Sequence, residues 1–203
     1  MSAKSTDYIK KYKICVSGSA ALDPCTPKAK ELAKEVGRQV VKQGAILLTG
    51  ATTGIPYWAA VGANEANGIS IGFSPASTEK EHVKVYRLPT DMFDVIVYTG
   101  FGYAGRNLLL TRASDAVITI CGRMGTLNEF TVAFEDKKPL GVLEGSGGTA
   151  DKIDYLLKGG YRGRKKVIGS PYPNILIREI IKAIRIEKDN NHKGRKKITK
   201  HGT

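Results

Sequence analysis

The residues best suited to chemistry in this sequence lie between positions 105 and 129. Gly105-Arg106-Asn107 comes first, and Gly122-Arg123-Met124-Gly125-Thr126 follows shortly before Glu129. The glycines directly follow an apolar run and precede a helical pattern, where unpaired backbone N–H groups and the helix dipole favour a phosphate. We therefore predict an anion site at residues 122–126. The same fragment is also typical of a tight strand-to-helix turn whose glycines and threonine only turn and cap.

The longer pattern of this segment resembles the Lonely Guy (LOG) family, long mislabelled as lysine decarboxylases. That family's hallmark is PGGxGTxxE, with an Arg-Lys pair and an Ala-Asp-Ala strand start upstream. Here Cys121 stands at the proline, Gly122 and Arg123 at the two glycines, Gly125-Thr126 at Gly-Thr and Glu129 at the glutamate. Residues 14–20 (ICVSGSA) and 49–63 (TGATTGIPYWAAVGA) also look like the family's first two glycine-rich turns, so the resemblance covers about residues 12–158.

The resemblance implies a nucleotide site and a reaction. In LOG enzymes the N-glycosidic bond of a nucleoside 5'-monophosphate is hydrolysed to free base and ribose 5-phosphate, and Arg106 and Glu129 stand at the catalytic pair. A carboxylate there would stabilise an oxocarbenium-like centre and orient water, while the arginine would balance phosphate charge or hold the substrate. The implied phosphate- or nucleotide-binding residues are Gly18, Ser19, Gly50, Thr53, Gly54, Gly122, Arg123, Met124, Gly125 and Thr126. The family usually forms homodimers or higher oligomers.

Two departures from the family pattern keep other readings open. Arg123 replaces a glycine that lets the backbone approach the phosphate, and Asn107 replaces the lysine of the Arg-Lys pair. The Gly105-Arg106-Asn107 form is closer to the branch that includes molybdenum-cofactor carrier proteins. A non-catalytic binder or carrier of a nucleotide or phosphorylated cofactor would tolerate both departures, and Arg106 and Glu129 would then form a structural ion pair. Arg112 is expected to be a surface or strand-bracing residue.

The positive charge of the chain is concentrated near its C-terminal end. Residues 1–155 carry a balance of +2, whereas residues 156–203 carry +11. A basic appendage of this kind contacts nucleic acid in some proteins, and a distant resemblance to the DNA-processing protein A family points the same way. The blander interpretation is a solvated tail, which we expect to be disordered from Glu187 onward. The body is nearly neutral and lacks interleaved aromatic residues, which argues against a base-stacking surface.

Cysteine and histidine usage predicts neither a metal site nor a cofactor. Cys15, Cys25 and Cys121 are odd in number and not closely paired, which suits a reducing compartment, and we interpret Cys15 and Cys121 as small buried hydrophobic residues. The histidines, His82, His192 and His201, fall outside every motif. Because no run reaches the length of a membrane span and residues 1–13 lack a signal-peptide core, we expect a cytoplasmic protein without membrane partners.

The elements that position these residues alternate between short apolar runs and helical patterns. The predicted strands are residues 13–17, 45–49, 69–73, 94–99, 116–120 and 139–144, with one more short strand after the basic segment 161–166 and helices at about 26–42, 56–66 and 174–186. Continuous apolar runs suit a parallel sheet covered on both faces. We therefore predict a Rossmann-like, doubly wound α/β fold with a mostly parallel sheet, in one domain over residues 1–186 and a basic tail over residues 187–203. Residues 75–93 are expected to be irregular and to form a lid or subunit contact.

Overall fold

Seven parallel strands form the centre of the molecule. The structure is a computed structural model that describes residues 11–160, 162–163 and 166–198, with the side chains of residues 191–198 left out of the description. The strands run in the order β4-β3-β2-β1-β5-β6-β7, and each neighbouring pair is parallel. They are β1 (Lys13–Gly18), β2 (Ile46–Thr49), β3 (Ser70–Ser74), β4 (Val95–Tyr98), β5 (Ala116–Ile120), β6 (Leu140–Leu143) and β7 (Val167–Ser170).

Helices connect the strands and cover both faces of the sheet. They are α1 (Ala29–Lys42), α2 (Ile55–Glu65), α3 (Glu79–Lys84), α4 (Gly102–Ala113), α5 (Met124–Glu135), α6 (Ile153–Gly159), preceded by a 3-10 turn (Ala150–Lys152), and α7 (Pro173–Ile198). Buried residues of α1, α2 and α7 pack on one face, and those of α4, α5 and α6 pack on the other. The predicted Rossmann-like α/β class is confirmed, and the sheet is parallel throughout the described residues.

The strand order places a topological switch point between β1 and β5. From β1 the chain passes to β2, β3 and β4 on one side, and from β5 it passes to β6 and β7 on the other. Ligands of doubly wound folds bind in the crevice that opens at this point, beyond the carboxyl ends of the strands. The ends of β1 and β5 carry Gly18-Ser19 and Cys121-Gly122, two of the turns singled out from the sequence.

Two segments differ from the sequence prediction. The stretch 75–93 is not wholly irregular, because Thr78 caps α3 by accepting a hydrogen bond from the amide of Glu81 at 3.2 Å. We expected the tail to be disordered from Glu187, whereas α7 continues to Ile198 in the structure. Just past Glu187, Lys188 connects the helix to the body of the protein, because its Nζ lies 3.0 Å from Asp115 Oδ1 and 4.4 Å from the centre of the Tyr12 ring. Residues 199–203, with His201, lie outside the described residues, as does the His192 side chain.

The cysteine interpretation needs one correction. Cys15 is buried and free, as expected, but Cys121 forms a disulfide with Cys25 across 96 residues of sequence. The pairing follows from the topology, since Cys25 lies in the segment after β1 and Cys121 directly follows the neighbouring β5. Sequence spacing alone carries no sign of this proximity. No helix among the described residues has the length and apolar character that crossing a membrane requires.

Candidate functional site

A pocket of about 360 Å³ opens over the switch point between β1 and β5. It combines side chains from four elements with the turns that follow β1, β2 and β5. Its walls are formed by Val16, Ser17, Gly18, Ser19, Ala20, Gly50, Thr52, Pro56, Tyr103, Arg106, Asn107, Arg123, Gly125, Thr126 and Glu129. Eight of the residues predicted from the sequence are therefore brought together in one cavity. The pocket has the size and position expected of a small-molecule site.

The turn after β5 leads directly into the N-terminus of α5. The first hydrogen bond of this helix runs from the amide of Leu127 to the carbonyl oxygen of Arg123 at 3.0 Å, so the amides of Met124, Gly125 and Thr126 have no partner within the helix. Gly125 and Thr126 line the pocket, and no side chain caps the helix. The predicted placement of residues 122–126 between a strand end and a helix start is confirmed.

Gly122 gives this turn its shape. Its φ of +99° belongs to a region that side chains rarely adopt, and a Cβ there would lie 2.5 Å from the Thr126 side chain. Its carbonyl oxygen accepts a hydrogen bond from the amide of Thr149 at 3.0 Å, while the carbonyl oxygen of Cys121 accepts one from Ala150 at 2.8 Å. The Cys25–Cys121 disulfide ties the same turn to the segment after β1. These hydrogen bonds and the disulfide fix the turn on one side, while the helix that follows it lines the pocket.

Glu129 is buried on the second turn of α5 and is held by hydrogen bonds. The Ser17 hydroxyl donates to its Oε2. The amide nitrogen of Asn107, in the orientation that satisfies both ends of that amide, donates to Oε1 at 2.9 Å and to the carbonyl oxygen of Tyr103 at 3.0 Å. Burial raises the pKa of the Glu129 carboxyl above its ordinary value, and the Arg106 guanidinium and the Ser17 hydroxyl only partly oppose that rise.

Arg106 reaches the same cavity from α4. Its Nη1 lies 4.0 Å from Glu129 Oε1, and its side chain is only 6% exposed. The guanidinium fits against Gly50, where a Cβ would lie 1.7 Å from Nη1, so the absence of a side chain at residue 50 makes room for it. The two residues predicted as a catalytic pair therefore converge on one pocket. Arg112, by contrast, is largely exposed and pairs with Asp136 at 3.4 Å, as expected for a surface residue.

Several predicted binding residues shape the site without lining it. The Thr53 hydroxyl donates to the carbonyl oxygen of Ala20 at 2.9 Å, which joins the turns after β1 and β2. Gly54, with a φ of +69°, stands at the start of α2, and a Cβ there would collide with Ser19 and Ala20. The Met124 side chain is 74% exposed. We infer supporting roles for Thr53, Gly54 and Gly122.

Sequence reasoning did not single out two residues that hold the Glu129 carboxylate. Ser17 is the last but one residue of β1, one position before the predicted Gly18, and it reaches Glu129 across 112 residues. Asn107 was considered only because it lacks the positive charge of the lysine in the family's Arg-Lys pair. The strict alternation of side chains along β1 was the available signal, because it places Ser17 on the α5 side of the sheet. Among the described residues, no group of three or more His, Cys, Asp or Glu side chains could hold a metal ion.

Comparison with known proteins identifies relatives of this arrangement. The model of the SLOG cluster4 family (LDcluster4) matches residues 11–169. The protein TM1055, solved by X-ray crystallography, is 26% identical, with a TM-score of 0.71 over 84% of this chain and 98% of that one.

Two further structures are those of molybdenum-cofactor proteins. The molybdenum cofactor binding protein of the phototrophic bacterium Rippkaea orientalis is 29% identical, with a TM-score of 0.68 over 87% of this chain and 98% of that one. The molybdenum cofactor carrier protein of Chlamydomonas reinhardtii is 27% identical, with a TM-score of 0.67 over 87% of this chain and 99% of that one. The resemblance to the LOG family and its carrier branch is confirmed at the level of family and fold.

Proposed function

The chain belongs to the SLOG cluster4 family, and from that premise we propose that it binds a phosphorylated, nucleotide-like ligand in the pocket between β1 and β5. The observation that carries the proposal is the N-terminus of α5, where Gly125 and Thr126 line the cavity and their amides have no partner inside the helix. A phosphate there would accept these hydrogen bonds and lie at the positive end of the helix dipole.

Arg123 strengthens this end of the pocket. It stands where LOG enzymes have a glycine, yet its side chain is exposed at the pocket wall and does not fill the cavity. A guanidinium in that position can fold over a bound phosphate and form charge-assisted hydrogen bonds with it. The substitution therefore exchanges close backbone approach for an added positive charge, which suits retention of an anionic ligand.

Binding without turnover is favoured over hydrolysis by the state of Glu129. Each of its carboxylate oxygens already accepts a hydrogen bond from the protein, from Ser17 and from Asn107. These two hydrogen bonds fix the carboxylate in place and use two of its roughly four acceptor positions, so fewer remain for orienting water or stabilising a developing cation. Hydrolysis of a nucleoside monophosphate remains the second candidate, because Glu129 and Arg106 line the same cavity as the predicted phosphate position. Carriage of a phosphorylated cofactor, as in the similar carrier proteins, is the form of the binding function we favour.

Binding is tested by calorimetry with AMP as the probe. We expect AMP to bind the wild-type protein and Arg123→Ala to weaken that binding about tenfold, the usual scale for one charge-assisted contact. The matched control is Arg112→Ala, which removes an equally charged surface residue outside this pocket and should leave the affinity unchanged. If neither AMP nor inorganic phosphate binds, or if both variants behave alike, the phosphate position is wrong.

Turnover is tested separately by incubating the protein with a panel of nucleoside monophosphates. Analysis for free base and ribose 5-phosphate should find neither above the rate without protein. Release of both products at a rate that falls about a hundredfold or more in Glu129→Gln would contradict simple binding and establish the hydrolase reading, since that is the scale for a positioned carboxylate.

A further inference from the structure

Arg106 is a buried cation whose hydrogen-bonding capacity is unused. Its side chain is 6% exposed, and its contacts are Glu129 Oε1 at 4.0 Å and the Tyr103 ring, whose centre lies 5.8 Å from Cζ. Neither contact is a hydrogen bond, and within the described part of the chain the guanidinium donates none. A guanidinium has five N–H donors in a planar fork that matches a phosphate or carboxylate. The pocket thus holds a second donor group apart from the α5 amides.

Ser19 provides an independent observation in the same cavity. It lies one residue past the end of β1, is 2% exposed and lines the pocket, and its hydroxyl has no hydrogen-bond partner. Buried hydroxyls in folded proteins are almost always paired. An acceptor supplied by a ligand would satisfy the hydroxyl.

The α5 amides and the Arg106 guanidinium occupy different positions in the pocket. Arg106 lies against Gly50 after β2, whereas the α5 turn follows β5, and β1 lies between those two strands. The ends of β2 and β5 are two strand spacings, about 10 Å, apart, and Nη1 lies 4.0 Å from Glu129, on the second turn of α5. We therefore expect a phosphate within hydrogen-bonding distance of the α5 amides, about 2.9 Å, not to reach the guanidinium as well. A second phosphate linked to the first extends the anion toward Arg106.

We propose that the pocket has two anion subsites, the α5 N-terminus for one phosphate and Arg106 with Ser19 for a second, and that its ligand belongs to the nucleoside diphosphate class. This inference rests on the proposed binding function and deepens it. The charge of the pocket suits an anionic ligand, because two arginines and one carboxylate line the cavity. Glu129 does not neutralise Arg106 through a hydrogen bond, so the guanidinium is available to an anion.

Gly50 offers a way to displace the guanidinium without removing it. Its φ is not in the left-handed region, and the only atoms a Cβ would meet within 3.2 Å belong to the Arg106 guanidinium, the far end of a flexible side chain. Gly50→Ala should therefore fold and push the guanidinium out of its place. Gly159→Ala is the matched control, since a Cβ at residue 159 meets nothing within 4 Å.

The test compares AMP with ADP by calorimetry. Wild-type protein and Gly159→Ala should bind ADP at least about tenfold more tightly than AMP, as expected for one additional charge-assisted contact. Arg106→Gln and Gly50→Ala should remove that preference while AMP still binds, and Ser19→Ala should reduce it. Thermal melting shows that each variant is folded.

The outcomes separate this inference from the proposed function. If the wild-type protein binds neither AMP nor ADP, the phosphate site itself is wrong. AMP binding without any preference for ADP overturns only the second subsite, as does a preference that survives in both Arg106→Gln and Gly50→Ala.

Discussion

The carboxyl of Glu129 is titratable and buried, so its ionisation makes the stability of the folded protein depend on pH. Burial raises the pKa of its carboxyl in the folded protein above the value in the unfolded chain, about 4.3. The folded state therefore binds more protons than the unfolded state between the two pKa values. Stability contributed by this residue is fully present below the unfolded pKa and is lost as the pH rises through the folded pKa.

Replacing Glu129 with glutamine, its neutral isostere, tests this pH dependence. The difference in melting temperature between Glu129→Gln and the wild-type protein should grow in favour of the variant as the pH rises from about 4 toward neutrality, because glutamine does not ionise. The measurement is thermal unfolding of both proteins by circular dichroism across that range. A difference that stays constant, or one that grows in favour of the wild type, would show that Glu129 is held ionised by Arg106.

The same residue shows where sequence reasoning reached its limit. Arg106 and Glu129 could be predicted because their types and spacing match a known pattern. The partners of the carboxylate could not, since Ser17 and Glu129 come together only through the packing of α5 on β1. The orphan hydroxyl of Ser19 is likewise visible only once the surrounding hydrogen bonds are known.

At the scale of elements, apolar runs identified six of the strands because a covered parallel sheet demands continuous hydrophobicity. The short helix α3 was missed because its sequence, EKEHVK, has little apolar periodicity. It is held instead by contacts of His82, whose Nδ1 lies 2.8 Å from Ser74 Oγ and whose Nε2 lies 3.0 Å from the carbonyl oxygen of Pro89. The strand β7 was expected after the basic segment and is present.

The end of α7 gives a prediction at this scale. Besides the contacts of Lys188 with Asp115 and Tyr12, Glu187 Oε2 lies 3.5 Å from Lys166 Nζ. A chain ending at Ile186 loses these contacts, whereas one ending at Asn190 keeps them. We expect the shorter chain to lose about 1 kcal/mol, because partly exposed ion pairs are weak, and to melt about 3 °C lower.

Calorimetric melting of the full chain and both truncations provides the check. Equal melting temperatures for the two truncated chains would mean that the contacts of residues 187 and 188 contribute nothing. Lys188→Ala in the full chain isolates the Asp115 and Tyr12 contacts from any effect of shortening the helix.

At the scale of the whole molecule, the positive charge is concentrated in the C-terminal part of the sequence. The excess of positive charge lies beyond residue 155, and much of it falls on residues 191–203, whose side chains lie outside the described part of the structure. Binding of nucleic acid through this region stays a prediction. The pocket lies at the carboxyl ends of the central strands.

Several exposed apolar side chains lie at the β4 edge of the sheet. The register places Val95 beside Ile71 and Val97 beside Phe73, so both valines face the side of the sheet on which α4 packs. They are 50% and 39% exposed, and Leu108 and Leu109 on α4 are 37% and 40% exposed. Exposed apolar side chains that form a patch on neighbouring elements often mark an interface. The edge strand β4 adds unpaired backbone groups that another chain can cover.

We predict that this edge joins two copies of the chain, the homodimer implied by the LOG resemblance. Leu109→Lys places a charge in the expected interface without disturbing the core, because the side chain is already 40% exposed. Sedimentation equilibrium should give the wild-type protein twice the 22.0 kDa of one chain and the variant a single chain's mass. Tyr155→Lys is the matched control, since that residue is 77% exposed on α6, away from β4, and its variant should remain dimeric. A wild-type protein that sediments as one chain, or a Leu109→Lys variant that stays dimeric, would place the interface elsewhere or remove it.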